Sequence, residues 1–431
     1  MRNAAIVVLA AVAALIGVAW LAPSVSAQQP ITVVSEEPRN EYPQGVTFAI
    51  SFNAPADTKE VRLQYHLAPD GTGATAVATC TGTGTVSCTY SLTSGRGIFI
   101  IPGAEITYHW EISDTAGDQL STPDKLYVHQ DTRFTFATLQ HDNVTLYYHS
   151  GSESQAQAVL NAAVDTLQKV GQLEQTQVTF PVKVFLYTTA EEMRPSIAAG
   201  GEGRGVTVLG EVVYSDTAMV SADVATLDIT RHEVAHIVTR EATKGPYGVP
   251  AWFNEGISVF SQSKPLAGHD AALQAAIDSD KALSMRELNS SATGAVGATV
   301  GLYYGEAGSI VKYLVDTFGP EKFAQLLKTF KDGTTPDKAF QSVYGFDSLG
   351  LENNWRQSVG LAPRAASATA TPRATQEARA PVTPAGGATP AASPGSSGGG
   401  GNVTAVVIIV LLMVLVLGAA GAAIAVVRRR L

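Results

Sequence analysis

The chain has 431 residues, enough for two or three domains, with 45% hydrophobic and 16% charged residues. Its net charge is −9 and its one basic block is the last few residues, so no nucleic-acid partner is expected. With two cysteines it has no cysteine-rich metal framework.

Residues 1–27 read as a secretory signal. Arg2 supplies one positive charge, Ala4 to Ala22 is uncharged and apolar, and Val25-Ser26-Ala27 is a small-residue cleavage site. The run is also long enough to stay uncleaved as an anchor, since about 20 apolar residues span a bilayer. No cysteine follows it, which argues against lipid attachment.

Residues 31–130 have strand periodicity. Val46, Phe48, Ile50 and Phe52 alternate with other residues, as do Val61, Leu63 and Tyr65, and Ile106, Tyr108, Trp110 and Ile112. Turn clusters such as Asp70-Gly71-Thr72-Gly73 break the runs. Short strands in this number predict an immunoglobulin-like β-sandwich. In an exported chain Cys80 and Cys88 most simply form one disulfide, since a metal or redox pair lacks further ligands. His66 and His109 fall within strand patterns and read as structural.

From about His141 the pattern becomes mixed. Val144–Tyr148 reads as a strand, Glu153 to Gly171 as a helix, and Val182, Val184 and Leu186 as a strand. A short helix follows near Glu191, then a strand over Val206 to Tyr214, with Gly205 and Gly210 nearby. Asp223 to Thr230 then carries a helical pattern into Arg231-His232-Glu233-Val234-Ala235-His236-Ile237-Val238. This H-E-x-x-H places two imidazoles one turn apart on one helix face, with Glu233 beside the first. His232 and His236 can therefore bind one metal ion, and Glu233 can face a water on it. Eighteen residues separate His236 from Glu255, which lies in Trp252-Phe253-Asn254-Glu255-Gly256. Two histidines and one glutamate leave a fourth position open, as in catalytic rather than structural zinc sites.

This arrangement resembles the gluzincin metallopeptidases, and its spacing and W-F-N-E-G segment are similar to those of their aminopeptidase branch. The stretch from about residue 141 to 360 resembles the bacterial peptidase MA-like domain. The resemblance implies Zn2+ held by His232, His236 and Glu255, with Glu233 as general base. It also implies a peptide or protein substrate, received in extended form by the edge strand ahead of the H-E-x-x-H helix. The G-x-M-E-N segment with which the aminopeptidase branch binds a free amine is missing here. Endopeptidase action or a restricted protein substrate therefore stays open beside exopeptidase action.

After Glu255 the chain reads as helical. Ala307, Ile310, Val311, Leu314, Val315 and Phe318 make one apolar face, stopped by Gly319-Pro320. Phe323, Leu326, Leu327 and Phe330 make another, and Phe340, Val343 and Trp355 complete the helical half. Tyr304 is either a packing aromatic or, as a tyrosine or histidine is in related enzymes, the group that stabilises the oxyanion. Asn254, Asp228 and Arg231 are candidates to support the ligands.

Residues 361–402 are rich in Ala, Pro, Thr, Ser and Gly and read as a disordered stalk. Residues 403–427 are 25 uncharged residues, enough for a single transmembrane helix, and Arg428-Arg429-Arg430 open a cytoplasmic tail at 428–431. The fold class expected is thus α+β: a β-sandwich, then a zincin-like metallopeptidase domain with a helical C-terminal half, then one membrane span. The expectation is a single-pass cell-membrane protein whose ectodomain lies outside the cytoplasm. Two functional readings compete: a tethered zinc peptidase, and a catalytically inactive surface binding protein on a peptidase-like scaffold. The complete set of His232, Glu233, His236 and Glu255 favours the first, because a binding scaffold does not need the base.

Overall fold

Alternating apolar residues in the segments 45–53, 58–68, 85–93 and 105–114 bury one face of each, and these faces close a core. The computed structural model describes residues 30–364 other than 70, 72, 95–97, 198–206 and 291–298, together with residues 408–410. Its first nine strands are β1 (Thr32–Asn40), β2 (Gly45–Asn53), β3 (Thr58–Ala68), β4 (Gly73–Val77), β5 (Thr79–Thr81), β6 (Thr85–Thr93), β7 (Glu105–Asp114), β8 (Gln119–Ser121) and β9 (Lys125–Val128). They form two antiparallel sheets, β1-β2-β6-β5 and β4-β3-β7-β8, with β9 also paired to β7. Phe48 of one sheet meets Tyr108 of the other with ring centroids 4.6 Å apart. Cys80 and Cys88 face each other across β5 and β6 and are joined in a disulfide, as their context predicts.

The second region is built on another sheet. Its strands are β10 (Ala137–His141), β11 (Val144–Tyr148), β12 (Val182–Tyr187), β13 (Thr207–Tyr214), β14 (Thr217–Ser221) and β15 (Ile408–Val410), in the order β10-β11-β12-β14-β13-β15. β11, β12 and β14 run parallel, whereas β10 and β13 run antiparallel to their neighbours β11 and β14. Helices α1 (Glu153–Glu174), α2 (Ala190–Met193), α3 (Thr226–Ala242) and α4 (Ala251–Ser261) interleave with and follow these strands. The helical half continues as α5 (Ala267–Asp278), α6 (Met285–Leu288), α7 (Val300–Phe318), α8 (Pro320–Lys331), α9 (Pro336–Tyr344) and α10 (Ser348–Ser358). α1 is fixed at its start by a capping box between Ser152 and Gln155. Pro320 opens α8 directly after Gly319 ends α7, so that break separates two helices.

The strand β12 shows how the regions join. Val182, Val184 and Leu186 belong to the core shared with the helices, whereas Phe185 and Tyr187 belong to the core of the β-sandwich. Both faces are buried because period-two alternation sends successive side chains into different layers. The sandwich therefore packs onto the sheet face opposite α1 and α3. Lys183 Nζ donates to the Gly103 carbonyl at 2.9 Å and pairs with Glu105 at 2.6 Å. Tyr187 joins Ser196 and Asp131 at 2.6 and 3.2 Å, and Tyr214 donates to the Phe99 carbonyl at 2.6 Å.

Two expectations change. The H-E-x-x-H helix starts at Thr226, not near Asp223, because Ala225 takes a left-handed conformation, with φ at 50°. Within the expected membrane span, Ile408–Val410 is a strand paired in parallel with β13 rather than helix. The physical reason is that β13 ends the sheet on that side with unpaired backbone groups, and a β-branched apolar trio can satisfy them. Among the described residues no helix is long and apolar enough to cross a membrane. The signal segment 1–27, the stalk beyond residue 364, the rest of 403–427, the tail 428–431 and Gly205 lie outside the described residues.

Candidate metal centre

Helix α3 runs beneath β13 and β14, and His232, Glu233 and His236 are all buried in it. α4 brings Glu255 opposite them. Asp228 fixes that approach: its Oδ1 accepts from Arg231 Nη1 at 2.7 Å and from the backbone and hydroxyl of Ser263 at 2.8 Å each. The chain leaving α4 is thereby tied to the first turn of α3. Asp228 and Arg231, candidates to support the ligands, act at this tie instead.

Three donors converge. Glu255 Oε2 lies 3.2 Å from His232 Nε2 and 3.5 Å from His236 Nε2, and the ligand atoms of the three residues lie within 4.8 Å of one another. Asn254 Oδ1 is 3.2 Å and Ser258 Oγ 2.9 Å from His236 Nδ1. A proton on Nδ1 donated to Asn254 leaves the Nε2 lone pair facing Glu255, the tautomer a metal ligand needs. Burial, with His236 beside it, lowers His232 to about 4, so its imidazole is neutral. Glu255 is held below the ordinary carboxylate range: burial alone would raise it, and His236 and His232 outweigh burial. Two imidazoles and a carboxylate are a donor set that suits a divalent cation.

These residues fit a zinc ion. His236 Nε2 is buried without a well-formed hydrogen bond, which costs free energy unless something occupies the space between the donors. The donor types, nitrogen and oxygen in a His2Glu set, are those of catalytic zinc.

Glu233 stands apart from the three donors. It is fully buried and neither carboxylate oxygen has a well-formed hydrogen bond. Burial first, then the Glu255 and Glu211 carboxylates, push its pKa well above the usual value. Gly210 in β13 passes directly over it. A side-chain carbon at that glycine would stand 2.7 Å from Glu233 Oε1.

Tyr304, on α7, is buried, and its ring centroid lies 6.0 Å from that of His232. His269 on α5, which the sequence does not single out, stacks on Tyr304 at 5.1 Å with 13° between planes. Burial, then the nearness of His232, lowers His269 to about 4. Ser258 was also not singled out; it lies one turn after Asn254 on the helix that carries Glu255.

A profile of the Peptidase MA superfamily matches residues 141–360, just over half of the chain. The chain belongs to this superfamily. The match begins at the last residue of β10 and ends just after α10, so it takes in β11 to β14 and all the helices from α1 to α10, and the β-sandwich precedes it. No curated protein matches the chain. Among solved structures, an M1 zinc metallopeptidase from Deinococcus radiodurans is 13% identical, covers 79% of this chain and 96% of its own, and has a TM-score of 0.37. A mutant of that enzyme gives 12% identity, 78% and 97% coverage, and a TM-score of 0.39. A family 56 carbohydrate-binding module, a β-1,3-glucan binding domain, is 15% identical over 23% of this chain and 99% of its own, with a TM-score of 0.16.

Proposed function

We propose that the chain is a zinc-dependent peptidase that hydrolyses peptide bonds outside the cytoplasm. One observation carries this reading: three buried metal donors converge beside a fourth buried side chain, Glu233, that is not one of them. A purely structural metal site has no use for that carboxylate.

His232, His236 and Glu255 would hold the ion. Bound there, zinc supplies Lewis acidity to a water and a carbonyl oxygen, and positive charge that offsets the Glu233, Glu255 and Glu211 carboxylates. Glu233 takes the proton of the attacking water and hands it to the leaving nitrogen. Gly210 leaves room for the base beneath β13. Tyr304 donates its hydroxyl to the developing oxyanion, supported by its burial beside His232. Asn254 and Ser258 hold the His236 ring.

The experiment for the chemistry is a pair of isosteres. Glu233→Gln is expected to keep about one zinc per chain and lose hydrolysis, whereas Glu255→Gln loses much of both. Hydrolysis by Glu233→Gln at near wild-type rate removes the assignment of the base. Wild-type protein that binds zinc and cleaves no member of a peptide library favours the inactive binding protein.

A further inference from the structure

We propose that His269 is a positioning residue that holds Tyr304 in its working orientation, and that close contact between α5 and α7 is what places it there. This rests on the peptidase reading above. The helix α7 is pressed between two partners. On one side a side-chain carbon at Gly256 of α4 would stand 2.5 Å from the Ala307 carbonyl oxygen, and one at Gly308 would stand 2.5 Å from Val259. On the other, a side-chain carbon at Gly305 would stand 2.5 Å from the His269 carbonyl oxygen, and one at Gly301 3.1 Å from that of Gly268. The glycines let backbone meet backbone, which fixes the helices in rotation and translation more tightly than side-chain packing does.

Tyr304 lies between these contacts. Its ring is bounded by His269 on one face at 5.1 Å, by His232 at 6.0 Å and by Tyr303, at right angles, at 5.6 Å. His269 is buried, and its Nδ1 has no hydrogen-bond partner among the described residues. The flat stacking on Tyr304 is the ring contact His269 makes among the described residues. An aromatic side chain has two soft torsions, and a face-to-face neighbour restricts both. A phenol aimed at a developing charge gains from being fixed beforehand, because a misplaced donor loses most of its effect.

The test uses full-length protein and four variants: His269→Ala, His269→Phe, Tyr304→Phe and the double variant His269→Ala/Tyr304→Phe. Tyr304→Phe should lower kcat by about a hundredfold. His269→Ala should lower kcat about tenfold with KM and zinc content nearly unchanged, and His269→Phe should restore it to within about threefold. The double variant should be no slower than Tyr304→Phe alone, because His269 acts through the tyrosine. Multiplying losses, or no rescue by phenylalanine, overturns the proposal. A second arm needs no hydrolysis: 3-fluorotyrosine is placed at position 304 and its fluorine resonance recorded in metal-free protein. One narrow resonance in wild type, broadened or shifted in His269→Ala and restored in His269→Phe, is the expected result. A resonance indifferent to His269→Ala overturns the positioning role even in an active enzyme. A responsive resonance in a protein that cleaves nothing sustains it while the peptidase reading fails.

Discussion

Gly210 and Glu233 are in contact through the one position where β13 has no side chain, with the glycine's missing carbon 2.7 Å from Glu233 Oε1 and 2.7 Å from Ile229 Cγ2. Neither neighbour has free space, since both are buried in α3. Gly210→Ala should therefore move the base while sparing the metal donors. A fall in kcat of about a hundredfold at unchanged zinc content is expected. Near wild-type turnover in Gly210→Ala means that Glu233 has more freedom than this packing allows.

Asn254 and Ser258 set the tautomer of His236, so their loss should be read in zinc affinity before it is read in rate. Asn254→Ala and Ser258→Ala are each expected to weaken zinc binding by about tenfold, and the double variant by up to about a hundredfold. Competition with a chromogenic chelator measures this. Unchanged affinity in the double variant would show that the ring is held by packing alone.

Glu174 lies on α1 with its Oε1 accepting from Thr239 Oγ1, on α3, at 2.7 Å. Burial pushes its carboxyl up to about 8, against the pull of that hydrogen bond. Between the ordinary value of 4.5 and about 8, the folded chain keeps a proton that the unfolded chain releases. The stability contributed is full below pH 4.5 and is lost as pH rises through 8. Glu306 is shifted the same way, mainly by burial, so it adds to the slope. Glu174→Gln, which stays neutral, should match wild type near pH 4.5 and melt about 5 °C higher near pH 8.5. Melting curves that stay parallel across this range would contradict the assignment.

The Cys80–Cys88 bridge closes a short loop between neighbouring strands of the sandwich, and neither sulfur touches the metal donors. Replacing both by alanine should cost roughly 2–3 kcal/mol of stability. Zinc content and kcat should not change. Loss of activity at a temperature where the variant remains folded and metal-loaded would make the bridge more than local.

Phe185 fills the join between sandwich and sheet, close enough to Gly103 that a side-chain carbon there would lie 2.9 Å from its ring. Phe185→Ala should cost about 3–5 kcal/mol. Wild-type protein should unfold in one calorimetric transition, with sandwich and sheet together. Two resolved transitions in wild type would mean that the shared core does not couple them.

The meeting of His232, His236 and Glu255 was legible because helical spacing puts the two histidines on one face, and Glu255 sits in a second short motif. His269 was not legible: its role depends on α5 meeting α7 at Gly305, and no local pattern encodes which helices touch. The join between regions was half legible. Val182, Val184 and Leu186 announced a strand, but the alternate positions Lys183, Phe185 and Tyr187 face the sandwich, and their partners lie at Gly103, Glu105 and Asp131. A boundary near residue 130 is visible in composition, yet the core crosses it. The edge at β13 was expected to be free; its pairing with Ile408–Val410 links positions too far apart in sequence for periodicity to reveal.

The shared core also bears on how the chain is made. Synthesis delivers the nine sandwich strands first, whereas Phe185, Tyr187, Val208 and Met219, which belong to the same apolar cluster, arrive only later. Until then the nascent sandwich carries an apolar face with nothing to cover it. Whatever holds the growing chain at that stage must shield this face.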